Sequence, residues 1–292
     1  MGKANKTAIL FVMPALVLLT LLYAYPLILM VVQSFQEVAL FGGQSQFVFL
    51  DNYHQLLSDS SFYRNLAITF KYSVLTILIK MLGGLLIALA LNSDIFAKKT
   101  LRFLMLIPWA IPQVAVAMIW KWIYNGQYGY LNYFLEGIAS IQSHISWLAD
   151  TRVTLYAVSF VDAWMGWPLI AMMILAGLEA IPDNLYEASR LDGASRWGQF
   201  VHITLPEIRG VLLITFTLVS IWTFNSFNVL YVLTQGGPLR STETMMMRVY
   251  NEAFQNFDFG VSSALSVLIM IMILLPISLY IRQLVKGGPS DV

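Results

Sequence analysis

The chain offers little to a reaction that needs a nucleophile or a metal. It has no cysteine, which removes thiolate chemistry, disulfides and Cys-based metal sites. Its three histidines, His54, His144 and His202, lie far apart, in loops or near the membrane interface, and no His-Glu-x-x-His pair occurs. Neither a Gly-x-Ser-x-Gly elbow nor a Gly-x-x-x-x-Gly-Lys-[Ser/Thr] phosphate loop is present, so no catalytic or metal residue is expected and ATP is not bound by that route. What remains are aromatic, amide and hydroxyl side chains grouped where apolar runs are interrupted. Trp109 and Gln113 flank the prolines of "IPWAIPQ" at i, i+4 spacing, and Trp164, Gly166 and Trp167 surround Pro168 in "WMGWPLI". Trp222, Thr223 and Ser226 fall on one helical face, beside a row of Asn225 and Asn228. Such a lining gives flat rings to the CH faces of a polyhydroxylated solute and hydrogen-bonding groups to its oxygens. Helix packing or an interfacial aromatic belt would use the same residue types.

Two ionisable residues fall inside apolar runs, where a charge is costly and marks function by default. Asp162 has Lys71 or Lys121, near the ends of neighbouring runs, as candidate partners, with water as the alternative. Lys80 has no partner that the sequence names. Snorkelling or a polar subunit interface accounts for it as well as transport does. No basic residue is expected on the candidate cavity face, which argues against a phosphorylated solute.

The elements that must position these groups are membrane helices. Of 292 residues, 58% are hydrophobic and 11% charged, against roughly a quarter charged in soluble domains. The net charge is +1 with no basic block, so nucleic acid is not a partner. At about 20 apolar residues per crossing, the chain divides into six spans, 8–32, 65–92, 103–125, 153–179, 208–234 and 259–281. This predicts an all-α polytopic membrane protein forming a single domain over residues 1–292. The first apolar run exceeds the core of a secretory signal and reads as an uncleaved span. Lys and Arg concentrate in the terminal and even-numbered connections, from Lys3 and Lys6 through Lys98, Lys99 and Arg102 to Arg190, Arg196 and Lys286. Both termini are therefore expected in the cytoplasm. The external connections, 33–64, 126–152 and 235–258, contain turn residues and suit short helices or a small cap. Pro108, Pro112, Pro168 and the Gly83, Gly84 pair interrupt the spans, each as a kink or as a packing contact.

The connection between spans four and five, 182–206, is polar: "EASRLDGASRWGQFVHITLP". Pro182 stops the preceding span, Asp183 suits an N-cap, and Leu185, Ala188 and Leu191 recur at helical spacing. Gly193 is placed to end that helix, and Trp197, Phe200 and Val201 give a second short helix an apolar face. Thr204 and Glu207 are spaced as a capping box before Pro206 and span five. An interfacial hairpin would satisfy all of this.

The order of residues is more specific than a hairpin requires. Glu187, Ala188, Ser189, Asp192, Gly193, Ala194, Ile203, Leu205 and Pro206 resemble the cytoplasmic signature of permease subunits of binding-protein-dependent ABC importers. That signature reads Glu-Ala-Ala, three residues, Gly, nine residues, Ile-x-Leu-Pro. Only Ser189, in place of the second alanine, departs from it. "LDNYHQLL", "NGQYGYLNYFL", "AGLEAIPDNLYEASRLDGA" and "FNSFNVLYVLTQGGP" are similar to the carbohydrate branch, in particular to the first permease type of maltose and glycerol-phosphate importers. The resemblance implies that the loop forms coupling helices seated in a groove of an ATP-binding subunit. It also implies a substrate pathway through spans three to five, carried over to Trp109, Gln113, Gly166, Trp222, Thr223 and Ser226, with Trp167, Asn225 and Asn228 beside them. The partners implied are a second homologous permease, two ATP-binding subunits that hold ATP and Mg, and an external or periplasmic solute-binding protein. A sugar is the expected substrate, lipid the surroundings, and a bacterial or archaeal cytoplasmic (inner) membrane the location. No cofactor is expected on this chain. An ion-coupled secondary transporter of a small polar solute is the alternative, although no internal repeat supports it and Asp162 alone is a weak coupling site.

Overall fold

A computed structural model describes residues 3–39, 44–93, 96–139 and 145–286; His144 lies outside them. The described residues are mostly helical, as expected. In order it forms α1 (Lys3–Leu19), a π-turn (Thr20–Ala24), α2 (Tyr25–Gln33), the two-residue strands β1 (Gln36–Glu37) and β2 (Gln46–Phe47), and α3 (Asp51–Ser58). Next come α4 (Ser60–Asn92), α5 (Lys98–Met105), α6 (Ile107–Ala110), α7 (Gln113–Ile123), α8 (Tyr130–Ala139) and α9 (Thr154–Glu179). The loop that follows holds α10 (Asp183–Leu191), α11 (Arg196–Gln199), a π-turn (Phe200–Thr204) and α12 (Leu205–Glu207). The chain continues through α13 (Arg209–Phe224), α14 (Asn228–Thr234), α15 (Met245–Phe254) and α16 (Phe259–Lys286). The short antiparallel β1–β2 pair, Gln36 opposite Phe47, is a small departure from an all-α chain.

Among the described residues three helices are long and apolar enough to cross a membrane, Phe11–Gln33, Ser60–Asn92 and Thr154–Glu179. Two bent pairs meet the same test together. Lys98–Ala110 and Gln113–Ile123 meet at 91°, and Arg196–Glu207 and Arg209–Phe224 at 66°. Phe259–Leu274 is a shorter apolar stretch within α16. Span three is therefore not a straight helix over 103–125. It breaks at Ile111 and Pro112, whose extended backbone (ψ 137° and 133°) cannot continue a helix. Span five is likewise discontinuous, since α13 ends at Phe224 and α14 starts at Asn228. Pro168 and the two glycines behave in the opposite way. α9 runs unbroken through a buried Pro168, and α4 runs through Gly83 and Gly84, where Trp167 and Ile170 occupy the space a side chain would take. Packing, not a kink, explains these three residues.

The chain divides into two compact units. One comprises Met1–Arg64 and Arg248–Tyr280. In it Asn52 Nδ2 donates to the carbonyls of Ser34 and Gln36, both at 3.0 Å, and so fastens α3 to the end of α2. Arg248 Nη2 pairs with Asp59 at 2.6 Å, and its Nη1 donates to Ser61 at 2.9 Å. Ser61 also donates to Asp59, and these bonds, with the nearby guanidinium, hold the Asp59 carboxyl down at about 2.

The other unit comprises Asn65–Met247 and Ile281–Val292 and has two apolar clusters. The first gathers Tyr72, Val116, Tyr124, Val158, Val161 and Leu230, where α7 and α14 pack together and against α9. The second gathers Ala88, Ile170, Ile174, Leu175, Ile208 and Val219 near the 182–206 loop. In a lipid surrounding these contacts stabilise through close van der Waals packing rather than through removal of apolar surface from water.

Candidate functional site

α4 presents Asn65, Thr69, Tyr72, Thr76 and Lys80 along one buried face, at steps of three and four residues. Lys80 lines the candidate cavity, and Tyr72 stands buried behind it. Lys80 Nζ lies 3.1 Å from Asp162 Oδ2 on α9 and donates to Thr223 Oγ1 on α13 at 3.0 Å. The Tyr72 hydroxyl donates to the same Asp162 oxygen at 2.6 Å and stands 3.2 Å from Ser226 Oγ. Lys80 and Asp162 are each 7% exposed. Asp162 is therefore not paired with Lys71 or Lys121. Lys71 stands over the Tyr156 ring, 5.3 Å from its centroid, and Lys121 donates to the Val232 carbonyl. Proximity in sequence to the span ends suggested those lysines; depth along the helix selects Lys80 instead.

Above this pair opens a cavity of about 500 Å³. Trp109, Gln113, Gly166, Trp222, Asn225, Ser226 and Asn228 line it, with Lys80 and Asp162. Both helix breaks contribute: Asn228 Nδ2, at the start of α14, donates to Gln113 Oε1, at the start of α7, at 2.9 Å. Asn225 Nδ2 turns back to the Ile221 carbonyl at 2.8 Å. Trp109 and Trp222 are both about half exposed, which leaves ring area free.

Two expected lining residues lie elsewhere. Thr223 is buried beneath the lining, as the acceptor for Lys80. Trp167 points to α4, donating its Nε1 to the Ile79 carbonyl at 2.9 Å, because one step along the helix from Gly166 turns the side chain by about 100° away from the cavity. Gly166 has a second use besides lining: a Cβ there would stand 3.0 Å from Lys80 Cε. The expectation that no basic group faces the cavity is corrected by Lys80, although Asp162 cancels its charge. Tyr72 was absent from the expected site. The spacing from Tyr72 through Thr76 to Lys80 was the signal for it.

The 182–206 loop is a helix, a turn and a shorter helix. Gly193 has φ +77°, a left-handed conformation that a side chain would strain. Pro182 occupies the N-cap of α10 and Asp183 its first turn, so Asp183 acts through the helix dipole and not as a cap. The cap on α11 is Ser195, which accepts from Gly198 N at 3.1 Å. Thr204 makes no capping box, because its backbone is already helical and its hydroxyl contacts the Tyr186 hydroxyl at 2.9 Å. Ser189, the departure from the signature, donates to the Tyr186 carbonyl and accepts from Gln199 Nε2 at 2.8 Å, tying α10 to α11. Glu187, Ala188, Asp192, Gly193 and Pro206 are exposed, whereas Ile203 and Leu205 are half-buried and Ile203 packs on the second cluster. Leu191 and Trp197 are 90% and 72% exposed, so the loop presents apolar as well as acidic surface. Of the described histidines, His54 lies in α3 and His202 bonds the Gly198 carbonyl through Nδ1. No group of three metal-ligating side chains occurs among the described residues.

Comparison with known proteins identifies the family and the fold. The family described as binding-protein-dependent transport system inner membrane component matches residues 80–286. The trehalose/maltose transport system permease protein MalF of Thermococcus litoralis is 32% identical over 273 residues, covering 93% of this chain and 91% of that one. The sn-glycerol-3-phosphate transport system permease protein UgpA of Agrobacterium fabrum is 31% identical over 268 residues, 91% of this chain and 90% of that one. A chain in the crystal structure of a bacterial ABC transporter that imports the acidic polysaccharide alginate superposes with a TM-score of 0.84 at 18% identity. It covers 99% of this chain and 98% of that one, and it attests the fold.

Proposed function

Because the chain belongs to the family of inner membrane components of binding-protein-dependent transport systems, we propose that it is the permease subunit of an ATP-driven sugar importer. It crosses the membrane six times with both termini in the cytoplasm, and the loop 182–206 faces the cytoplasm. It pairs with a second, homologous permease, and an external binding protein delivers the solute. Two ATP-binding subunits supply the energy, each holding ATP and Mg. This chain has no catalytic role.

The carrying observation is the pairing of the signature loop with a cavity at two broken helices in one chain. A coupling element has to protrude and be stiff. Glu187 and Asp192 are exposed for charge-assisted bonds to a partner, Gly193 sets the angle between α10 and α11, and Ser189 locks them together. Closure of the ATP-binding pair moves this knob, and the helices that follow it reshape the cavity, so that access alternates.

The class of solute follows from the lining. Trp109 and Trp222 offer stacking faces, and Gln113, Asn225, Ser226 and Asn228 offer donors and acceptors. This suits a sugar or oligosaccharide, in line with the trehalose/maltose transport named for one relative. An ion-coupled transporter would need a carboxylate whose charge can hold its ion, whereas the charge of Asp162 is offset by Lys80 3.1 Å away. The testing experiment is ATPase stimulation of the reconstituted complex by its binding protein, loaded with each of a panel of sugars. Stimulation by at least one sugar is expected. Stimulation by an amino acid or an ion but by no sugar would overturn the assignment.

A further inference from the structure

We infer that Lys80 makes the cavity selective for uncharged polyhydroxylated solutes, by cancelling the charge of Asp162 while leaving that carboxylate able to accept a hydroxyl hydrogen. The inference rests on the proposal that the solute passes through this cavity, and it narrows the class of solute that does.

Lys80 and Asp162 are the charged residues of the lining, one of each sign, and they stand 3.1 Å apart. A solute entering the cavity therefore meets no surplus charge. An anionic sugar would have to leave water and lodge its carboxylate or phosphate in a membrane-embedded site with no free cation. To recruit Lys80 it would have to break the pair, leaving Asp162 unbalanced beside its own negative charge. A cationic solute meets the mirror problem, because Asp162 is held by Lys80 and by the Tyr72 hydroxyl. A neutral sugar meets neither cost.

The pair is also oriented. Both protein contacts to Asp162 fall on Oδ2, so Oδ1 keeps its acceptor capacity for a solute hydroxyl. Lys80 is anchored a second time by Thr223 Oγ1, at 3.0 Å, just before α13 ends. The backbone of Gly166 leaves room for the lysine stem, since a Cβ there would stand 3.0 Å from Cε. Lys80 is thus a positioning residue that acts through Asp162, and the cavity beside it stays electrically neutral.

The test uses the complete complex with its partner subunits in lipid nanodiscs, without binding protein, so that the membrane cavity alone discriminates. Binding of maltose, trehalose and cellobiose is compared with that of disaccharides carrying one glucuronate. The comparison covers wild type, Asp162→Asn, Lys80→Arg and the double variant Lys80→Met/Asp162→Asn. Wild type is expected to prefer a neutral sugar by about tenfold or more, and Asp162→Asn, which leaves Lys80 uncancelled, to shift that ratio toward the uronate by about tenfold. Lys80→Arg and the double variant, both neutral overall, keep the preference for neutral sugars. A merely structural pair would instead weaken both kinds of sugar together and leave the ratio unmoved. An unmoved ratio in Asp162→Asn, or equal binding of both kinds by wild type, overturns the inference while the importer assignment stands. Binding of none of the sugars by wild type overturns the solute cavity and the inference with it.

Discussion

Lys80 Nζ and Asp162 Oδ2 stand 3.1 Å apart on two long helices, with both side chains 9% exposed. Each residue explains the other, because leaving either charge unpaired in that environment is costly. Lys80→Met should therefore destabilise the protein by about 3–5 kcal/mol, the usual cost of leaving one buried charge unpaired. Adding Asp162→Asn should recover most of that loss. Thermal unfolding of the purified variants measures both effects.

The close approach of α4 and α9 depends on Gly83, whose missing side chain makes room for the Trp167 indole. Gly83→Val should cost about 1–3 kcal/mol through overpacking. Gly210, in α13, has nothing within 4 Å of a built Cβ, so Gly210→Ala should be neutral or stabilise by up to about 1 kcal/mol. The paired melting temperatures separate a packing glycine from an incidental one.

How far the amino-acid order reveals this arrangement differs from one feature to the next. The apolar runs and the loop 182–206 are legible because hydrophobicity and turn chemistry act locally. Gly193 is a clear case, since its left-handed φ of +77° is the conformation a helix-ending glycine supplies. The prolines are harder, because Pro112 breaks a helix whereas Pro168 is carried inside one. Whether neighbouring helices support the chain on both sides decides the outcome, and that is a tertiary property. The Lys80–Asp162 pair escaped for the same reason: 82 residues separate the partners, and only the packing of α4 on α9 sets their depths equal. The polar face from Tyr72 to Lys80 does identify the inward side of α4.

Ser189 and Gly193 stiffen the loop 182–206 in different ways. Ser189→Ala removes the bond from Gln199 and should cost about 1 kcal/mol, with binding-protein-stimulated ATPase reduced but retained. Gly193→Val forces a β-branched residue into the left-handed region and should cost about 1–2 kcal/mol. It should also sever ATPase stimulation from transport. Parallel assays of ATPase and uptake distinguish the two.

Asp59 gives the pH dependence a definite direction. Its carboxyl is held at about 2 in the folded protein, below the ordinary value of 3.8, first by Ser61 and then by Arg248. A carboxylate depressed by folding stabilises above its unfolded value and loses that contribution as the pH falls. Stability should therefore drop between about pH 4 and about pH 2. Asp59→Asn should flatten that part of the curve, as read from thermal melts at a series of pH values.

Uptake of a radiolabelled sugar into proteoliposomes tests the central claim most directly. The vesicles contain the assembled complex, ATP inside, and sugar-loaded binding protein on the other face. The account predicts ATP-dependent accumulation with wild type. Glu187→Lys, which reverses the charge of an exposed signature residue, should abolish it while the chain still inserts into the membrane. Undiminished ATP-coupled uptake with Glu187→Lys, or sugar uptake that needs neither ATP nor binding protein, would contradict the account.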